Sequence, residues 1–138
     1  IVWTRDTATM YFIDTPRRQV LAFDFDNATG SISNERVAWD TKDCAGVPDG
    51  MTIDNEDRLW VAFCHGGKVV CYDPQTNEVV SQIEVPVAGT TACAFGGPEL
   101  RDLYITTGPT NVADEPLAGR LFVCQPGAVG VPSVAFRG

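Results

Sequence analysis

Few residues of this 138-residue chain have the type and spacing for chemistry. Asp24-x-Asp26 with Glu35 at the twelfth position has the outline of an EF-hand loop, in which oxygen ligands wrap a calcium ion. Position five is Ala28, Thr29 stands where the turn needs glycine, and strand-like runs flank the segment instead of helices, which excludes that site. His65 is the only histidine, so any Ser-His-Asp triad would have to use it. It falls in a turn, His65-Gly66-Gly67, and reads as an exposed turn residue. Cys64 precedes it, but neighbours on a strand point to opposite faces and form no dyad. No phosphate-binding loop or dinucleotide fingerprint is present. There remains Pro48-Asp49-Gly50, a carboxylate between a residue with no N–H donor and one that lets the backbone pass close to another group. The bare tripeptide is an ordinary turn.

The composition narrows the partners. A net charge of −8 with scattered Lys and Arg argues against a nucleic-acid groove. No apolar run approaches the ~20 residues of a membrane span, and no basic-apolar leader opens the chain. Apolar residues at 44% and charged residues at 20% give a globular composition with enough chain to bury a core. Cys44, Cys64, Cys71, Cys93 and Cys124 are an odd set without a C-x-x-C pair, poor both as a disulfide framework and as a zinc site. A reducing, cytoplasmic setting is the simpler reading, and the sequon Asn27-Ala28-Thr29 sits where a turn wants Asn anyway.

A repeat supplies the elements that must position any site. Met10-Tyr11-Phe12-Ile13-Asp14 followed by Gln19-Val20-Leu21-Ala22-Phe23-Asp24 has the grammar of Leu59-Trp60-Val61-Ala62-Phe63 followed by Lys68-Val69-Val70-Cys71-Tyr72-Asp73. Tyr11 to Trp60 and Val20 to Val69 are both 49 positions, so the register holds across both runs. Leu103-Tyr104-Ile105-Thr106-Thr107 with Arg120-Leu121-Phe122-Val123-Cys124 repeats it with a longer loop. The runs are short, rich in β-branched and aromatic residues, and punctuated by Gly, Pro, Asn and Asp. No 3.6-residue apolar stripe persists, so no helix is expected.

With their flanking runs the units read as four strands each: 1–4, 10–14, 19–25 and 32–39; 50–54, 58–63, 67–73 and 79–85; 91–95, 102–107, 119–124 and 131–136. Three such units in 138 residues match the period of about 40–50 residues of a propeller blade. The predicted fold is all-β, about three four-stranded antiparallel blades over 1–138, with a β-sandwich as the alternative. Trp3, Trp39 and Trp60 are expected in the core or between blades.

Val47-Pro48-Asp49-Gly50-Met51-Thr52-Ile53-Asp54 followed by Arg58-Leu59-Trp60-Val61-Ala62 resembles the PDGM-x-ID…LWVA signature of the SMP-30/gluconolactonase/regucalcin family. Tyr11-Phe12-Ile13-Asp14, Asp73-Pro74-Gln75-Thr76 and Thr90-Thr91-Ala92-Cys93-Ala94-Phe95-Gly96-Gly97 agree in order and spacing. The resemblance covers the whole chain. It implies a six-bladed propeller of about twice this length, of which these residues are expected to be the C-terminal half. Ile1-Val2-Trp3, with no initiator Met, is read as the middle of a strand with the missing part upstream.

The resemblance further implies a divalent cation on the propeller axis, calcium foremost and zinc, manganese or magnesium as the other ions, and hydrolysis of sugar lactones. Of three implied protein ligands (a Glu, an Asn and the Asp of the PDG motif) only the last has a counterpart here, Asp49. It is the expected metal ligand and catalytic residue, at the start of a strand, binding metal and steering or deprotonating the attacking water. The intact protein is expected to be a lactonase and the fragment alone inactive. A non-catalytic calcium-binding or protein-interaction propeller is the alternative. Expected partners are a sugar lactone and either the missing N-terminal half or a second copy of the chain, with no nucleic acid or membrane.

Overall fold

The computed structural model describes residues 1–110 and 115–133. Every regular element among them is a strand. The first sheet is β1 (Val2–Trp3), β2 (Thr9–Asp14), β3 (Gln19–Asp26) and β4 (Ser31–Asp40). The second is β5 (Val47–Ile53), β6 (Leu59–Cys64), β7 (Lys68–Asp73) and β8 (Glu78–Glu84). The third has β9 (Thr90–Gly96), β10 (Asp102–Thr107) and β11 (Leu121–Cys124). Each sheet is an antiparallel meander in chain order, and together they form part of a propeller.

The repeat seen in the sequence is a repeat of pairing. Tyr11 pairs with Ala22 and, 49 residues on, Trp60 pairs with Cys71. Tyr104 opposite Val123 continues the pattern.

Alternation fixes what lies between the sheets, because successive side chains on a strand face opposite ways. Tyr11, Val20, Ala22 and Trp39 of the first sheet meet Ile53, Leu59, Val61, Phe63, Val70 and Tyr72 of the second. Trp39 stacks on Tyr72 with centroids 4.4 Å apart and planes 3° from parallel. The other face of the second sheet, with Trp60, Ala62, Val69 and Cys71, packs on Cys93, Leu103 and Ile105 of the third. Trp39 and Trp60 are buried as expected, whereas Trp3 is 39% exposed. All five cysteines are free.

Two expectations change. The fourth strand of the third unit, placed at 131–136, is not formed at 131–133, and 134–136 lie outside the described residues. Gly130 instead bridges to Asp54 of the second sheet, and Val129 O accepts the Asn55 N–H at 2.8 Å. The second unit's inner strand starts at Val47, not at residue 50, so Asp49 lies inside a strand and not at its start.

Candidate functional site

The first strand of each sheet is its innermost, and β5 packs against both β1 and β9. The leading end of β5 shares one face of the molecule with the β2–β3 and β6–β7 turns and the connections into β5 and β9. Asp49 stands there.

A β-bulge aims it. Val47 pairs with Cys64 and Pro48 with Phe63, but the next partner of β6, Val61, is Met51. Asp49 and Gly50 together oppose Ala62, one residue too many for the ladder. Pro48 has no N–H to offer. Gly50 carries no Cβ, and one built there would lie 2.4 Å from the Ala92 Cβ and 2.7 Å from its Cα. The bulge therefore brings the second and third sheets into contact beside the axis, and bulges of this kind re-aim side chains near functional sites. β9 bulges at the matching place: Thr106 pairs with Ala92 and Thr107 with Thr90, leaving Thr91 extra. Thr91 is the register equivalent of Asp49, and its Oγ1 lies 2.9 Å from that of Thr106.

The Asp49 side chain reaches the surface and has no hydrogen-bond or ion-pair partner among the described residues. Partial desolvation pushes its carboxyl above its ordinary value. The same carboxylate, after desolvation, pushes up the Cys64 thiol, which sits at the end of β6 on this face. His65, one residue on, is exposed in its turn at φ +61°.

A hard cation needs several oxygens. Asp49 fits as one of them, because it is an anionic oxygen donor with no competing partner. Among the described residues no three His, Cys, Asp or Glu side chains come together to hold a metal ion. The described residues thus offer one candidate oxygen donor, Asp49, and no complete cation site.

The most fully bonded carboxylate is elsewhere and was overlooked in the sequence. Asp54 is wholly buried at the other end of β5. Its Oδ1 accepts the N–H groups of Glu56 (2.9 Å) and Arg58 (3.0 Å). Its Oδ2 accepts from Arg58 Nε (2.8 Å) and Trp60 Nε1 (2.9 Å). With all its bonds made inside the chain, Asp54 holds the β5–β6 turn and is no ligand. The signal was available: Asp, then Arg four on and Trp six on, across a turn.

Residues 1–109 match the model of the SMP-30/Gluconolactonase/LRE-like region. YvrE of Bacillus subtilis, named provisionally as a sugar lactone lactonase, is 38% identical over 99% of this chain and 48% of its own length. Among solved structures, a luciferin-regenerating enzyme superposes with a TM-score of 0.85 at 34% identity, over 94% of this chain and 45% of that one. A calcium-binding regucalcin from Agrobacterium tumefaciens gives 0.80 at 28%, over 88% and 43%. The chain spans about half the length of the curated relatives it matches. The agreement of family model, relatives and sheet arrangement shows that this chain belongs to the SMP-30/gluconolactonase/LRE-like family.

Proposed function

We propose that this chain is part of a metal-dependent hydrolase of sugar lactones in which Asp49 is a metal ligand and acts on the attacking water. One observation carries the reading: an exposed carboxylate, without a partner among the described residues, stands on a bulge of an innermost strand. A bound divalent ion, calcium foremost, would polarise the lactone carbonyl and lower the pKa of a bound water. Asp49 would contribute one anionic oxygen. Its raised pKa, from desolvation, favours taking a proton from water more than an ordinary carboxylate would. Gly50 keeps the two inner strands close, with the Thr91 carbonyl 2.9 Å from where a Gly50 Cβ would stand.

The remaining ligands must come from outside the described residues. We place them on the N-terminal half of a six-bladed ring, or on a second copy of the chain with incomplete chemistry. The five free cysteines fit a reducing, cytoplasmic setting. No described helix is long and apolar enough to cross a membrane.

The test is proton release from glucono-lactone by a protein containing this chain together with its N-terminal half, with and without added divalent metal. Metal-dependent release that Asp49→Ala abolishes supports the reading, and release untouched by that change sinks it. Calcium binding without hydrolysis would favour a non-catalytic calcium-binding or protein-interaction propeller, a reading that the calcium-binding relative keeps in view.

A further inference from the structure

We propose that Arg18 and Thr15, on the β2–β3 turn of the neighbouring sheet, are positioning residues that fix where Asp49 stands. The proposal rests on the reading of Asp49 as a metal ligand. Because the Asp49 carboxylate bonds to no other described side chain or backbone group, its place is set by its backbone alone. Whatever holds residues 41–48 therefore holds the ligand.

The grip comes from two sides. Arg18 Nη2 donates to Cys44 O (2.6 Å) and Gly46 O (2.7 Å), with a longer contact to Thr41 O (3.4 Å). Thr41, fully buried, returns its N–H (2.9 Å) and its Oγ1 (2.8 Å) to Arg18 O. Thr15 Oγ1 donates to Pro48 O at 2.9 Å, the carbonyl of the peptide bond that carries the Asp49 nitrogen. Arg18 adopts φ +58°, a left-handed conformation that a side chain of this size keeps only where its surroundings hold it. On the far side Gly46, at φ +81°, lies so close to the β6–β7 turn that a Cβ would stand 2.5 Å from Gly66 N and 2.6 Å from Cys64 O. The segment leading to Asp49 is thus clamped between the turns of two sheets. All three contacts come from one nitrogen, Nη2, of a guanidinium that stays charged and so donates more strongly than a neutral group.

Amide hydrogen exchange of the 138-residue chain tests the clamp, with Arg18→Gln and the milder Thr15→Val. The amides of Val47 and Met51, which flank the bulge, should exchange at least tenfold faster in both variants. Those of Val61 and Val70 in the adjoining strands should not change. Unchanged exchange at Val47 and Met51, or equal acceleration throughout, would overturn the proposal. Broadening of the Asp49 and Gly50 signals by Mn2+ alone is the second readout. It should occur in the parent chain, vanish in Asp49→Ala and require at least tenfold more Mn2+ in Arg18→Gln. An equal Mn2+ requirement in Arg18→Gln counts against the clamp. Because Asp49 is one ligand of a larger set, absence of broadening in the parent chain leaves exchange to decide the clamp by itself.

Discussion

Gly50 and Ala92 meet across the axis-side seam of two sheets so closely that a methyl group on Gly50 would stand 2.4 Å from the Ala92 Cβ and 2.9 Å from Thr91 O. Both obstacles belong to short, stiff parts of β9, so neither can turn aside. Gly50→Ala must therefore wedge β5 from β9 or distort the bulge. Overpacking of this kind costs about 1–3 kcal/mol. We expect the urea midpoint to fall accordingly, with Asp49 displaced. A variant as stable as the parent chain would show that the seam is looser than the geometry requires.

Asp54 gives the opposite kind of prediction. Its four bonds, two to Arg58 and one each to Glu56 and Trp60, make it a buried charge satisfied within six residues of sequence. Removing one partner of a buried ion pair costs about 3–5 kcal/mol, because the other is left uncompensated. Asp54→Ala should lose that much in denaturant titration and release the Trp60 indole. Asp54→Asn should lose less, since an amide oxygen still accepts two bonds. Loss of under 1 kcal/mol in Asp54→Ala would mean that water replaces the network.

What could be read from the sequence was what depends on neighbours in the chain. The 49-residue spacing of Tyr11 to Trp60 reports strand pairing because both strands of a hairpin and its turn are contiguous. The bulge at Asp49 was not legible: Pro48-Asp49-Gly50 has the composition of a turn, and only contact with Ala92, 42 residues later, makes it a distortion inside β5. The last unit misled for a related reason. The sequence predicts a strand at 131–136, but just before it Gly130 finds its partner at Asp54, at the end of β5. Arg18 is one of two adjacent arginines in a turn, and its carbonyl partners, 26 and 28 residues on, carry no signature a sequence displays.

The buried thiols set an alkaline limit. Desolvation pushes Cys71 up to about 11 and Cys93 to about 12. In the unfolded chain both ionise near 9, so above that pH the folded state binds more protons and stability falls as pH rises. Cys71 should therefore contribute a progressive loss of stability as pH rises from about 9 towards 11. Cys93 adds to this, as its thiol donates to Trp60 O at 3.2 Å. Denaturant midpoints from pH 8 to 10.5 should decline, and less steeply in Cys71→Ala. A flat profile would show these thiols to be accessible.

Asp49 works against the fold that holds it. Its carboxyl is raised, so between the ordinary carboxylate value and its folded one, stability falls as pH rises. At neutral pH the charged form carries a desolvation cost with no partner to offset it. Asp49→Asn should leave the urea midpoint unchanged or slightly raised, while abolishing the Mn2+ response. A clear loss of stability would mean that the carboxylate has a structural partner, and its assignment as a ligand would lose its physical basis.

The last expectation concerns the two end sheets. On the third sheet Tyr104 pairs with Val123 and Thr106 with Leu121, and the outer face shows Leu121 (62% exposed), Val123 (59%) and Tyr104 (36%). On the first sheet Trp3, Phe12 and Val37 stand exposed beside Met10 and Leu21. Inner faces of the same strands are buried against the second sheet, so these outer faces are the same apolar construction without a neighbour among the described residues. Contiguous apolar patches beyond a few hundred Å2 are rare on stable monomers. Two copies placed head to tail would cover the third sheet of each with the first sheet of the other, and would supply the length of the curated relatives, of which one copy spans 48%. Light scattering on the 138-residue chain at low micromolar concentration should return twice the monomer mass. Leu121→Lys with Val123→Lys should return the monomer, since a lysine pair cannot be buried against Phe12 and Trp3 without losing its hydration. A monodisperse parent monomer that binds no hydrophobic dye would show that the end faces need no partner.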